Sequence, residues 1–282
     1  MIRIIPKLDI KGPNLVKGIH LEGLRVLGKP EAFSRFYYEN GADELLYMDA
    51  VASLYGRNSL LEIVARTARE VLIPLCVGGG LRSVQDIRTV LRAGADKVAL
   101  NTAALARPDF VREAARAFGS STIVVSIEAI RQPDGAYHCY TNCGRDQTGV
   151  DAFAWAMQAA ELGAGELLVT SVDREGTGKG FDLELTRRIA QSVSIPVIAC
   201  GGAGTLAHVV EVIEKGKADA VSLASVLHYH YVKQAAADTS AHAGEGNTEF
   251  LRRRVGFGKI AEGSLAELKR HLQEHHIDCR WN

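Results

Sequence analysis

Short apolar runs alternate with amphipathic stretches along nearly the whole chain. The strand-like runs are RIIPKLDI (3–10), ELLYMDA (44–50), PLCVGG (74–79), KVALN (97–101), TIVVSIE (122–128), ELLVTSV (166–172), PVIACGG (196–202) and AVSLAS (220–225). Several are apolar on both faces, as parallel strands covered by helices must be. Between them SLLEIVARTAREV (59–71), SVQDIRTVLRAG (83–94) and LELTRRIAQSV (183–193) space their apolar residues for helices. Eight strands separated by helices is the count of a closed (β/α)8 barrel, although an open doubly wound sheet shares the alternation.

Internal repetition decides between the two. GADELL at 41–46 returns as GAGELL at 163–168, and IPLCVGGG at 73–80 returns as IPVIACGGA at 195–203, both 122 residues on. IPKLD (5–9) has its counterpart in VVSIE (124–128), and GAD (94–96) in KAD (217–219). Two four-unit halves close naturally into one ring with approximate twofold symmetry, so the expected fold is a (β/α)8 TIM barrel built from two half-barrels. One domain is expected over 1–282. Residues 232–262 break the pattern and read as a mobile insertion, with a short helix in RRRVGFG. SLAELKRHLQEHH (264–276) then supplies a final outer helix, with Leu265, Leu268 and Leu272 on one face and Ser264 as N-cap.

Lys+Arg and Asp+Glu both number 33, so the formal charge is zero and bulk attraction to nucleic acid or an anionic membrane is not expected. No run approaches the roughly 18 consecutive apolar residues of a membrane span. The start MIRIIPKLDI lacks the apolar region of a signal peptide, and a cytoplasmic protein is expected. The five cysteines (Cys76, Cys139, Cys143, Cys200, Cys279) have no zinc-type pairing and are read as reduced thiols. His228, His230, His275 and His276 lack further ligands at suitable spacing and are read as surface or helix-end residues. No metal is expected, and the basic run Arg252–Arg254 is given no ligand.

In such a barrel the chemistry sits at the carboxyl ends of the strands. The repeat places Asp9 and Glu128 at the ends of opposed strands, and Gly79–Gly80 and Gly201–Gly202 at another opposed pair. Glycine turns bring backbone N–H groups close to an anion, with the next helix N-terminus adding positive charge. With Asn101, Thr102 and Ser225 nearby, two symmetric turns point to a substrate carrying a phosphate at each end. Asp9 and Glu128 are candidates for a general acid and base; the competing reading pairs one of them with Lys7, Lys11 or Lys17. Lys17 binds a phosphate, stabilises a loop or is a solvated loop residue. At the opposite face Arg3, Glu44, Lys97 and Glu166 begin strands, and their alternating charges suit a ring of salt bridges.

IPKLDIKG…VKG (5–18), GADE (41–44), IPLCVGGGLRS (73–83), AGADKVALNTAA (93–104), GAGELLVTSVDREGTGKGFD (163–182) and IPVIACGGAG (195–204) resemble the cyclase subunit family of imidazole glycerol phosphate synthase. The similarity runs from about residue 2 to 230 and returns in the final helix. It implies a barrel that takes ammonia from a separate glutaminase subunit. That ammonia converts a doubly phosphorylated ribulosyl aminoimidazole carboxamide into imidazole glycerol phosphate and the carboxamide ribotide, in histidine biosynthesis, without a cofactor. It implies that Asp9 is the first catalytic residue, that Gly79, Gly80, Asn101 and Thr102 hold one phosphate, and that Gly201, Gly202, Ala224 and Ser225 hold the other. Lys17, Thr170 and Glu175 belong to the candidate substrate loop. Arg3, Glu44, Lys97 and Glu166 match the ammonia gate facing the glutaminase. The chain departs from the pattern at Glu128, where the family has aspartate, at Lys7, where it has a smaller residue, and more modestly at TNCGR (141–145) and Glu175. VKGIHLEGLRVLGKP and ASLYGRNSLLEI resemble a divergent branch associated with amidino groups on bacterial surface sugars, in which ammonia passes to a sugar amidotransferase.

Overall fold

The computed structural model describes residues 1–52, 60–234 and 260–281. In chain order the strands are β1 (Arg3–Lys11), β2 (Asn14–Ile19), β3 (Glu22–Gly28), β4 (Leu45–Asp49), β5 (Leu75–Gly78), β6 (Lys97–Leu100), β7 (Ile123–Arg131), β8 (Tyr137–Thr141), β9 (Asp146–Asp151), β10 (Glu166–Ser171), β11 (Val197–Cys200) and β12 (Ala220–Leu223). The helices are α1 (Pro30–Glu39), α2 (Leu61–Thr67), α3 (Val84–Arg92), α4 (Thr102–Ala106), α5 (Asp109–Phe118), α6 (Ala152–Leu162), α7 (Leu183–Ser192), α8 (Leu206–Glu214), α9 (Ser225–Gln234) and α10 (Leu265–Glu274).

Eight strands pair in parallel around a closed ring, β1-β4-β5-β6-β7-β10-β11-β12, and β12 returns to β1 through Arg3↔Ala220 and Ile5↔Ser222. This is the (β/α)8 barrel that the repeat anticipates, with β1 opposite β7 and β5 opposite β11. Alternate strand residues face inward. Ile5, Leu46, Cys76, Ala99, Val124, Leu168, Ile198 and Ala220 meet there as an apolar plug. The other strand face, with Ile4, Leu8, Leu45 and Tyr47, packs under the helices. Local chemistry starts those helices: Ser83 and Asp86 form a reciprocal capping box at α3, and Ser264 and Glu267 form another at α10.

Two antiparallel hairpins lie beyond what the hydrophobic pattern shows. β2 folds back on β1 with Asp9 opposite Val16, and β8 folds back on β7 with Glu128 opposite Tyr140. β3 and β9 complete them. Each half-barrel therefore carries a hairpin after its first strand, and each begins beside an acid. The duplication extends to the insertions.

His228 is corrected from a surface or helix-end histidine to a fully buried one. Ser225, His228, Tyr229 and Val232 follow helical spacing and all are buried. The His228 ring stacks on Tyr37 with centroids 5.8 Å apart, and its Nδ1 lies 2.6 Å from the Tyr37 hydroxyl. Burial holds its pKa down at about 3, so the ring is neutral. Residues 232–234 belong to α9, whereas RRRVGFG and Arg252–Arg254 lie outside the described residues. Among the described residues no helix is long and apolar enough to cross a membrane, and no cluster of ligating side chains suits a metal ion.

Candidate active site

At the amino-terminal end of the barrel four charged side chains close the floor. Arg3 donates to Glu44 at 2.8 Å and to Glu166 at 2.7 Å; Lys97 donates to the same two carboxylates at 2.9 and 2.7 Å. The charges alternate around the ring, so each cation has two acceptors. Burial weakens charge solvation throughout, yet the carboxylates outweigh it and raise both Arg3 and Lys97 above their ordinary values. Glu166 is lowered by the two cations; for the more deeply buried Glu44, desolvation wins and the carboxyl is raised.

At the other end Asp9 and Glu128 reach from opposite strands into one small space, lined also by Lys7, Lys17, Leu21, Leu24 and Cys143. Both acids are buried. Lys7 Nζ lies 3.0 Å from one Asp9 oxygen and 3.3 Å from the other. Of the competing sequence readings, the Lys7–Asp9 ion pair is therefore present, and it sits inside the mouth rather than away from it. Burial pushes Glu128 up to about 7, against the Lys7 charge and the Gly144 N–H, which donates to it at 2.8 Å. Lys17 is buried on β2 and pairs with Glu175, so it is neither a solvated loop lysine nor an open anion site. Lys17 and then Lys7 overcome the burial of Glu175 and hold it at about 2. The His20 N–H donates to the Glu175 carbonyl at 2.9 Å, seating the β2–β3 hairpin on the segment after β10. Thr170 is buried beside them, opposite Glu128 and Cys200 in the sheet register.

A cavity of about 350 Å³ adjoins this space, sharing Met48, Asp49, Glu128 and Cys143 with it. Gly79, Gly80, Asn101 and Thr102 line it, so the structure gathers the first candidate phosphate set at one wall, next to Glu128. Gly79 has φ +104, and a Cβ there would lie 2.8 Å from the Asp49 carbonyl oxygen. At the second set Gly201 and Gly202 also have positive φ, and Ser225 opens α9. The segment after β10 covers this turn: the Gly180 N–H donates to the Gly202 carbonyl at 2.8 Å. A Cβ on Gly201 would lie 3.3 Å from a Glu175 carboxylate oxygen, so Glu175 links the second turn to Lys17.

The sequence marks TNCGR (141–145) only as a modest departure from the family pattern and assigns Cys143 and Gly144 no role in the site. Both stand at positive φ in the β8–β9 turn, over the mouth. TNCGRD carries the Asn and Gly of a hairpin turn and was the available signal. Burial first, then Glu128 and Asp9, push the Cys143 thiol up to about 12, so it stays protonated, and it donates to the Ala50 carbonyl at 3.3 Å.

The family model described as histidine biosynthesis protein matches residues 3–233. The HisF subunit of imidazole glycerol phosphate synthase from Legionella pneumophila is 58% identical over 205 residues, covering 73% of this chain and 97% of that protein. The HisF subunit from Thermosynechococcus vestitus is 51% identical over 232 residues, covering 80% of this chain and 83% of that protein. Neither name bears on the surface-sugar branch. The chain belongs to the histidine biosynthesis protein family, as a relative of the HisF subunit of imidazole glycerol phosphate synthase.

Proposed function

We propose that this chain is the cyclase subunit of an imidazole glycerol phosphate synthase, with Asp9 and Glu128 as its acid–base pair. The observation that carries the reading is that these two carboxyl groups, from opposite strands, line one space beside a glycine-walled cavity. Reaction with ammonia expels the substrate carbonyl oxygen as water and the carboxamide ribotide as an amine, so protons are taken from the incoming nitrogen and delivered to the departing oxygen and nitrogen. Two carboxyl groups in different environments suit those two tasks. Glu128, at about 7, retains its proton in a large share of molecules at neutral pH. Asp9, paired with Lys7, is the acceptor. Gly79, Gly80, Asn101 and Thr102 bind one substrate phosphate, and Gly201, Gly202, Ala224 and Ser225 the other, through N–H groups and helix termini.

Ammonia reaches this mouth from a glutaminase subunit docked at the amino-terminal face, through the Arg3–Glu44–Lys97–Glu166 ring and along the barrel interior. The purified chain given ammonium salt and the bisphosphate substrate should form imidazole glycerol phosphate without any partner, and should use glutamine only when a glutaminase is added. Absence of ammonium-driven turnover would overturn the cyclase reading. Retained stimulation of a glutaminase would then favour supply of ammonia to a separate amidating protein.

A further inference from the structure

The inward positions of β1 climb from the floor ring through the plug to the mouth in the order Arg3, Ile5, Lys7, Asp9. On β1 Lys7 is the first charged group above the plug, and it is only 5% exposed. Burial acts to discharge its ammonium, but Asp9 first and then Glu175 outweigh that and hold it well above the ordinary lysine range. Its neighbours come from around the ring: Asp9 on its own strand, Glu175 after β10, Cys200 on β11, and Glu128 on the opposite strand β7, whose carboxyl it lowers. Glu128 is faced also by Asp9, Asn101, Gly144 and the Cys143 thiol. Lys17 joins through Glu175, and the neutral His228 ring lies within reach of both lysines. Lys7 is paired with Asp9 and Lys17 with Glu175, and Asp49 of β4 lines the same space as Glu128.

We propose that Lys7 is a positioning residue that fixes Asp9 as proton acceptor and leaves Glu128 as proton donor. This rests on the acid–base reading of those two residues. Lys7 acts through Asp9, holding both its oxygens, and supplies a cation that also lowers Glu128. Because Glu128 works with its proton on, turnover falls as pH rises through its pKa. Removing a cation that lowers that pKa moves the basic limb to higher pH.

The test is ammonium-driven turnover against pH for wild type, Lys7→Met and Lys7→Arg. Lys7→Met should lose on the order of 100-fold in kcat, with KM for the bisphosphate substrate within about threefold. Its basic limb should rise by at least about half a pH unit. Lys7→Arg keeps the charge but not the fit, so its kcat should fall with the basic limb in place. Wild-type kcat or an unmoved limb in Lys7→Met would overturn the proposal, as would a limb in Lys7→Arg that moves with that of Lys7→Met. Should Lys7→Met not fold, Lys7→Arg decides alone: lost kcat with the limb in place upholds the proposal, and wild-type kcat refutes it. Wild-type protein without turnover is a different failure, that of the acid–base reading itself.

Discussion

Shortening Glu128 to aspartate restores the residue that the family pattern carries, yet it should harm this site. The Gly144 N–H donates to Glu128 Oε2 at 2.8 Å. Aspartate would withdraw the carboxyl by about 1.5 Å, one C–C bond, stretching that contact to roughly 4 Å, beyond a hydrogen bond. Gly144 itself, at φ +75, is packed against Val172, where a Cβ would lie 2.9 Å from Val172 Cγ1. The lost hydrogen bond costs about 1 kcal/mol and the lost buried methylene about 1 kcal/mol more, so Glu128→Asp should be about 2 kcal/mol less stable. Displacement of a reacting group by an ångström costs about 100-fold in rate, or roughly 3 kcal/mol in the barrier. Initial rates at saturating ammonium and bisphosphate substrate, with denaturant midpoints on the same samples, measure both. A variant as fast and as stable as wild type would refute the argument that the β8–β9 turn is fitted to the longer acid.

Stability should also report on Glu128. The folded chain keeps this proton to about 7 whereas the unfolded chain releases it near 4.5. Its contribution is therefore complete below 4.5 and is lost as pH rises to about 7, by on the order of 3 kcal/mol. Unfolding free energy against pH should fall in that window for wild type relative to Glu128→Gln, and parallel curves would contradict the burial argument. Lys97→Met leaves Glu44 with Arg3 alone, so urea unfolding should show a loss of about 1–3 kcal/mol, and glutamine-driven turnover with a glutaminase should fall more than ammonium-driven turnover. Gly202→Ala places a Cβ 2.2 Å from the Gly180 carbonyl oxygen at φ +107; KM for the bisphosphate substrate should rise by roughly tenfold or more, and an unchanged KM would remove this turn from the phosphate site.

Periodicity and repetition made the barrel legible, because parallel strands buried on both faces leave an apolar signature that a half-length duplication doubles. The same repeat set Asp9 against Glu128 and Gly79–Gly80 against Gly201–Gly202. Both hairpins escaped notice: β9 is largely exposed and polar, and NLVKGI reads as loop unless its partner strand is known. Lys7 was visible as an odd cation near Asp9, but its reach toward Glu128 and Glu175 depends on the ring being closed. His228 was misplaced because two histidines in LHYHYV look polar, and only the helical spacing of its neighbours buries one of them. Glu175 was one loop residue among several until Lys17 came to meet it across the mouth.

The most direct test of the account is a double-mutant cycle on ammonium-driven kcat with wild type, Asp9→Asn, Glu128→Gln and the double variant. Residues that work as one acid–base pair should each cost about 10²–10⁴-fold alone, with the double variant within about tenfold of the worse single one. Either single variant at wild-type rate, or losses that multiply in the double, would contradict a shared site at the barrel mouth.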